Sequence, residues 1–431
     1  VRQASLTGMA IRIKDVDRAA RSAWHRAADL GFLRPPSPEN EEFWRPVFSS
    51  RGHRLKGAFD GERCVGTLRS FPMEITVPGG GAVEADAITG VTVLPTHRRQ
   101  GLLTRMMTTE LTEAVARDQA LAILISVEWP IYGRFGFGPA TFSAEFDVDC
   151  ARGGLRAEVV DWIDRAAGTV EIVDAEEYAK AAPEVHARFR ARQVGAVERP
   201  EWRWQMMTGQ RPHPVHKREG AFYVLHRDSS GRPTGALTYR IEDKENWIGG
   251  VPQVRLKVDD LIVGAERARD DAVAAAALWQ YVTSVDWIGT VSTGGRSPDD
   301  PFPLLLEDAR AARRVGGEDM LWLRVLDVPA ALEARTYQAE GEVIIRVEDP
   351  QGHCNGSYHL EGGLDGATCT RTTQEPDITL PVDSLGTLYL GGESARRLQA
   401  AGRLAEEWTG AAARIDTLFN EARLPWSPDG F

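Results

Sequence analysis

Ala87-Ile88-Thr89-Gly90-Val91-Thr92-Val93-Leu94-Pro95-Thr96-His97-Arg98-Arg99-Gln100-Gly101-Leu102-Leu103 reads as a β-strand, a tight basic loop and the first turn of a helix. Val91 and Val93 alternate with small residues, the period-two pattern of a pleated strand. Pro95 ends the pairing, because it has no N–H to give a ladder. From Arg98 to Leu103, backbone N–H groups and two guanidinium groups collect at a helix N-terminus. Basic side chains oppose the helix dipole there, so the pair is unfavourable unless an anion joins it. The spacing predicts an anion site with a pyrophosphate as its natural guest.

Outward from that stretch, the order is helical spacing over 15–30, a helix over 39–47, and strands over 54–59, 64–70, 73–77 and 84–93. A helix over 102–118 follows, then a continuous apolar strand over 120–127 and an alternating one over 140–148. That closes one mixed α/β unit, 10–150. A second unit, 151–315, repeats the pattern weakly with a helix over 266–281, and an acid, Glu266, stands where phosphates would bind. A third unit, 316–431, begins with a strand over 320–326 and reads as α+β. Residues 1–9 read as a frayed or non-native terminus.

Composition limits the function classes. With 42% hydrophobic and 26% charged residues the chain is globular rather than disordered. A net charge of -11 argues against nucleic acid as the main partner and is compatible with a cationic small molecule. Cys64, Cys150, Cys354 and Cys369 have no metal-ligand spacing, and four cysteines in so long a chain predict free thiols in the cytoplasm. No apolar run is long enough for a membrane span. The scattered histidines, His186, His213, His216, His353 and His359, predict no metal site.

The basic loop resembles the acyl-CoA motif of the GNAT acetyltransferases, Arg/Gln-x-x-Gly-x-Gly/Ala, except that Leu103 takes the last place. That departure is the usual form in one subfamily, the enhanced intracellular survival (Eis) acetyltransferases. Their Val-x-Val-x-Pro-x-His-Arg-Arg-x-Gly-Leu-Leu is matched at 91–103, and their Ile-Tyr-Gly-Arg-Phe-Gly-Tyr/Phe-Gly-Pro-Ala at 131–140. The resemblance implies tandem GNAT domains, the second degenerate, then a sterol-carrier-like α+β domain that delivers the C-terminus.

The same resemblance implies acetyl-CoA as cosubstrate and a primary amine, of an aminoglycoside or polyamine, as acceptor. It implies a hexamer. Tyr132 becomes the general acid for the departing thiolate, and the α-carboxylate of Phe431 the general base, directly or through a water. Arg98, Arg99, Gln100, Gly101, Leu102, Leu103 and Thr104 would cradle the phosphates, and main-chain groups of Val91, Thr92 and Val93 the pantetheine arm. Val127 and Glu128 stand where the family often has Ser-Glu; Glu128 either faces the ammonium or is solvated. The family's acid next to the terminal residue is replaced by Gly430, with Asp429 one place earlier. Asp29, Phe32 and Trp44 are candidates to line an amine pocket, acids drawing a cation and aromatic rings contacting its body.

Overall fold

A computed structural model describes residues 10–431 apart from 51, 216–219, 243–244 and 249. The expectation for 1–9 and the reading of His216 lie outside the described residues.

The first sheet is built on β1 (Arg12–Asp15), β2 (Arg54–Asp60), β3 (Arg63–Thr76), β4 (Ala82–Val93) and β5 (Leu121–Ile125), in that order. The two strands expected over 64–70 and 73–77 are one, running through Pro72. The imino acid is tolerated because β2 stops pairing with β3 at Ser70, which leaves that edge open. Helix α1 (Arg21–Gly31) starts later than expected, since Asp15 still pairs in β1 opposite Lys56. Helix α2 (Pro38–Phe48) has Ser37 as its N-cap, bonding Asn40 N–H at 3.1 Å, with proline at its first position. Helix α3 (Leu102–Ala116) buries Leu102, Met106, Met107, Leu111 and Ala114 against the sheet.

Two strands change places between units. Leu321–Val325, expected at the start of the third unit, lies in the first sheet, antiparallel to β5 and next to Gly138–Pro139. Glu145–Asp149, from the strand expected to close the first unit, joins the second sheet between Ala312–Gly316 and Ile288–Ser292. That sheet continues through Val254–Val263, Pro233–Glu242, Phe222–Arg227 and Thr169–Val173. Its long helix starts at Asp271 rather than 266.

The third unit is a five-stranded sheet with short helices, among them Val382–Tyr389. One apolar cluster joins it to a face of the first sheet, running from Phe71, Ile75, Ile123 and Leu323 to Ile345, Leu360, Leu385 and Phe419. No described helix is long and apolar enough to cross a membrane.

Candidate active site

The basic loop turns tightly at the start of α3. Arg99 and Gly101 both have left-handed backbones, at φ 63° and 71°, and Gly101 opens α3 with no side-chain cap and no acid in the first turn. A methyl group added at Gly101 would meet nothing within 4 Å, so the space beside it is open. Arg98, Arg99, Gln100 and Thr104 are exposed around it. Leu102 is buried in the core and Leu103 packs against the same cluster, so both can offer only main chain to an anion. Among the described residues neither arginine has a carboxylate partner; Arg98 reaches only the Val93 carbonyl, at 3.4 Å. Uncapped N–H groups, open volume and two unpaired cations fit a pyrophosphate.

Above the loop, β4 bends. The β3–β4 register slips so that Gly90 and Val91 face Leu68 alone, with Gly90 at φ 61°. The parallel pairing of β4 with β5 holds only from Asp86–Ala122 to Ile88–Leu124, after which the strands part. Val91 and Val93 pack into the core beneath α3, and Thr92 lies against Gly31. What Val91, Thr92 and Val93 present to the opening is therefore backbone.

The chain's last residues enter where the strands part. Thr89, the first β4 residue past the pairing, donates from its hydroxyl to the main-chain oxygen of Phe431 at 3.0 Å. Gly430 lies against Ile125 on the β5 side, where an added methyl would come within 3.2 Å of its Cδ1. The Phe431 ring meets Phe71 edge to face at 5.9 Å.

Buried contacts with the second unit also hold the tail. Trp426 is buried beside Phe189, and its backbone N–H donates to the Val194 carbonyl at 2.9 Å. The Arg199 guanidinium bridges Asp429 and Asp260 at 2.7–3.0 Å, all three side chains buried. Asp429 is held well below the ordinary carboxylate range by the Arg199 charge, against the opposing effect of burial. It is a structural anchor, so it does not replace the acid missing at Gly430.

Tyr132 ends the short helix Trp129–Tyr132, buried and edge to face with Phe137. Burial, with the Glu128 charge second, pushes its phenol up to about 12, so the hydroxyl keeps its proton at neutral pH. The glycines after it have a packing cause. A Cβ at Gly136 would collide with the Arg324 guanidinium, and one at Gly138 with the backbone of Asp383, so Val382–Tyr389 can press on this loop only without side chains there. Val127 is 81% exposed and Glu128 is exposed at the rim.

A cleft of about 650 Å³ adjoins Phe431, walled by Trp44, Trp202, Met206, His213 and the Arg240–Asp259 pair. Trp44 lines it, crossing Trp202 at 5.4 Å. Asp29 does not: it is buried, and its oxygens accept from Asn40 at 2.8 Å and the Ser37 N–H at 3.2 Å, bracing the start of α2. Phe32 is half exposed under Arg34, off the walls of this cleft.

Thr89, Phe71, Trp202, His213 and Arg199 are absent from the sequence reading of the site. His186 is engaged with Asp429, at 3.5 Å. His359 lies with Glu342 and Glu361 on an exposed strand pair of the third unit, at 3.2 and 3.8 Å.

Comparison with known proteins places the chain in a family. Residues 12–140 and 195–325 each match an acetyltransferase (GNAT) domain, and 328–428 a sterol carrier protein domain. The chain is 43% identical to an uncharacterised N-acetyltransferase of Streptomyces griseus, covering 98% of this chain and 100% of that one. It is 33% identical to the N-acetyltransferase Eis of Mycobacterium tuberculosis over 89% of this chain and 90% of that one. The crystal structure of Eis1 from Mycobacterium abscessus superposes with a TM-score of 0.82 at 30% identity, covering 97% and 100% of the two chains. With its anion cradle, parted strands and three-unit order, the chain belongs to the Eis family of GNAT N-acetyltransferases, whose acetyl donor is acetyl-CoA.

Proposed function

We propose that this chain acetylates primary amines of small molecules, with the acceptor entering the cleft beside Phe431. The observation that carries the reading is the meeting of the tail with the parting of β4 and β5, at Thr89 and Ile125. Acetyl-CoA supplies a thioester carbonyl and a thiolate leaving group. The loop 98–104 and the backbone of Val91, Thr92 and Val93 are the groups that would hold it. The Phe431 carboxylate, anchored through Thr89, takes the ammonium proton directly or through a water. Tyr132, kept protonated by burial, donates to the sulfur.

Aminoglycosides and polyamines are the acceptors that the family resemblance brings forward, and lysine side chains of proteins use the same chemistry. The aromatic walls, Trp44 and Trp202, suit the body of such a molecule. A hexamer acting in the cytoplasm accompanies this reading; the four free cysteines suit that compartment. Thiol release from acetyl-CoA with tobramycin, spermidine, simple aryl amines and a lysine peptide is the test. Turnover with at least one amine is expected. Coenzyme A binding without turnover on any of them would sink the reading, and light scattering reads the assembly.

A further inference from the structure

Six arginine and lysine side chains are buried among the described residues: Lys56, Arg69, Arg199, Arg296, Arg324 and Arg335. Five have acceptors. Lys56 meets Asp15 and Glu113, Arg199 meets Asp260 and Asp429, Arg296 meets Asp300, Arg324 meets Asp349, and Arg335 is held by backbone carbonyls. Arg69 is the exception. It is 5% exposed, and among the described residues it makes no hydrogen bond and no ion pair. Its guanidinium lies 5.4, 4.9 and 4.8 Å from the ring centres of Trp44, Phe48 and Phe71. Aromatic faces stabilise a cation but accept few of its five N–H bonds. A buried charge left this way is costly, and an apolar residue of similar size would remove the cost.

The position is informative. Arg69 stands opposite Thr89 across the β3–β4 ladder. Trp44 lines the cleft beside Phe431, and Phe71 lines a second hollow of about 400 Å³ that shares Trp202 with it. His53 is stacked on Phe71 at 4.8 Å in that hollow, and its Nδ1 is buried without a partner. Burial and the Arg69 charge bring His53 down to about 4, so the hollow holds a neutral imidazole beside a cation. Of the side-chain carboxylates near the cleft, Asp259 pairs with Arg240, Asp429 with Arg199, and Asp29 accepts from Asn40, while Glu198 and Glu201 line the second hollow. The only side-chain carboxylate on the walls of the cleft beside Phe431 is thus already paired, and Arg69 remains a buried cation with no anion at ion-pair distance among the described residues.

We propose that Arg69 receives a carboxylate carried by the acceptor, so that the preferred substrate is an aromatic or apolar amine bearing an acid group rather than a polycation. This rests on the acetyl-transfer reading above and narrows its substrate class. The amine end lies toward Phe431, the ring against the Trp44–Trp202 wall, and the acid end against the Arg69 guanidinium in its aromatic box. The acid completes a charge-assisted hydrogen bond that the protein does not supply.

The test uses the full chain with benzylamine, para-aminomethylbenzoate and tobramycin as acceptors. The benzoate is expected to exceed benzylamine in kcat/KM by at least about tenfold, the low end for a hydrogen bond to a charged group. In Arg69→Met the ratio is expected to fall to about twofold or less, and in Arg69→Lys to an intermediate value, since a point charge lacks the planar fork. Arg69→Met is expected to melt no lower than the parent, because it removes an unpaired buried charge. Calorimetry with benzoate alone is expected to show binding to the parent and none to Arg69→Met. Equal rates for the two aryl amines, a preference for tobramycin, or equal loss on every acceptor in Arg69→Met would each overturn the proposal. Benzoate binding through Arg69 without turnover on any amine would overturn acetyl transfer and leave the anion site standing.

Discussion

The Thr89 hydroxyl donates a 3.0 Å hydrogen bond to the main-chain oxygen of Phe431, joining residues 342 apart in sequence at the point where β4 and β5 separate. Thr89→Val keeps the shape and removes the donor. Turnover is expected to fall by about tenfold, the worth of one hydrogen bond to a charged group. The dissociation constant for coenzyme A is expected to stay within about twofold, since the cradle is untouched. Residues added after Phe431 are expected to abolish turnover with the same binding. Full activity of the extended chain would remove the terminal carboxylate from the mechanism.

Tyr132 makes a separate prediction. Tyr132→Phe is expected to lower kcat by about a hundredfold, the lower range for a general acid, with cofactor affinity unchanged. Because burial raises the phenol to about 12, deprotonation of this group produces no alkaline loss of activity below about pH 10. The same shift has a stability sign. The folded value lies above the unfolded value of about 10, so its contribution is complete below pH 10 and disappears as pH rises toward 12. Alkaline melting curves of the parent and Tyr132→Phe compare the two directly.

The tail anchor is the most sensitive point of the interface between units. Arg199→Met leaves Asp429 and Asp260 buried without their cation, and a loss of about 3–5 kcal/mol in unfolding free energy is expected. Asp429 has a folded pKa below its unfolded one, so its contribution is present above pH 4 and is lost as pH falls further. Asp429→Asn is therefore expected to melt lower than the parent at pH 7, with the gap narrowing below pH 4. Scanning calorimetry at both pH values measures it.

The motif around Tyr132 depends on the third unit. Gly138→Ala places a methyl group into the Asp383 backbone and the Thr387 side chain, and overpacking of this kind costs about 1–3 kcal/mol. The displaced loop carries Tyr132, so kcat is expected to fall together with the melting temperature. A fully active, fully stable alanine variant would mean that Val382–Tyr389 does not press on this loop.

What was legible in the sequence is what chain neighbours decide. The cradle is contained in 98–104, and the Tyr132 turn in 131–140, so residue type and spacing are enough to place both. Asp29 illustrates the opposite case. A carboxylate near aromatic residues looks like a cation site, but Asn40 and the Ser37 N–H already occupy its oxygens. Leu102 stands inside the motif and faces the core, because the helical phase turns it inward. The tail anchor stayed hidden because Arg199 and Asp429 are 230 positions apart. Arg69 was hidden differently: its unusual state is a lack of partners, which only the assembled surroundings reveal.

The exchange of strands between sheets also sets an order of events during synthesis. Strand β5, Leu121–Ile125, is complete early, yet the antiparallel neighbour that covers its outer edge, Leu321–Val325, leaves the ribosome almost two hundred residues later. At ordinary elongation rates that delay is on the order of tens of seconds. Throughout it, an apolar Leu-Ala-Ile-Leu-Ile edge is open to pairing with any other chain. A fragment ending near residue 150 therefore carries the cofactor motif with that edge uncovered.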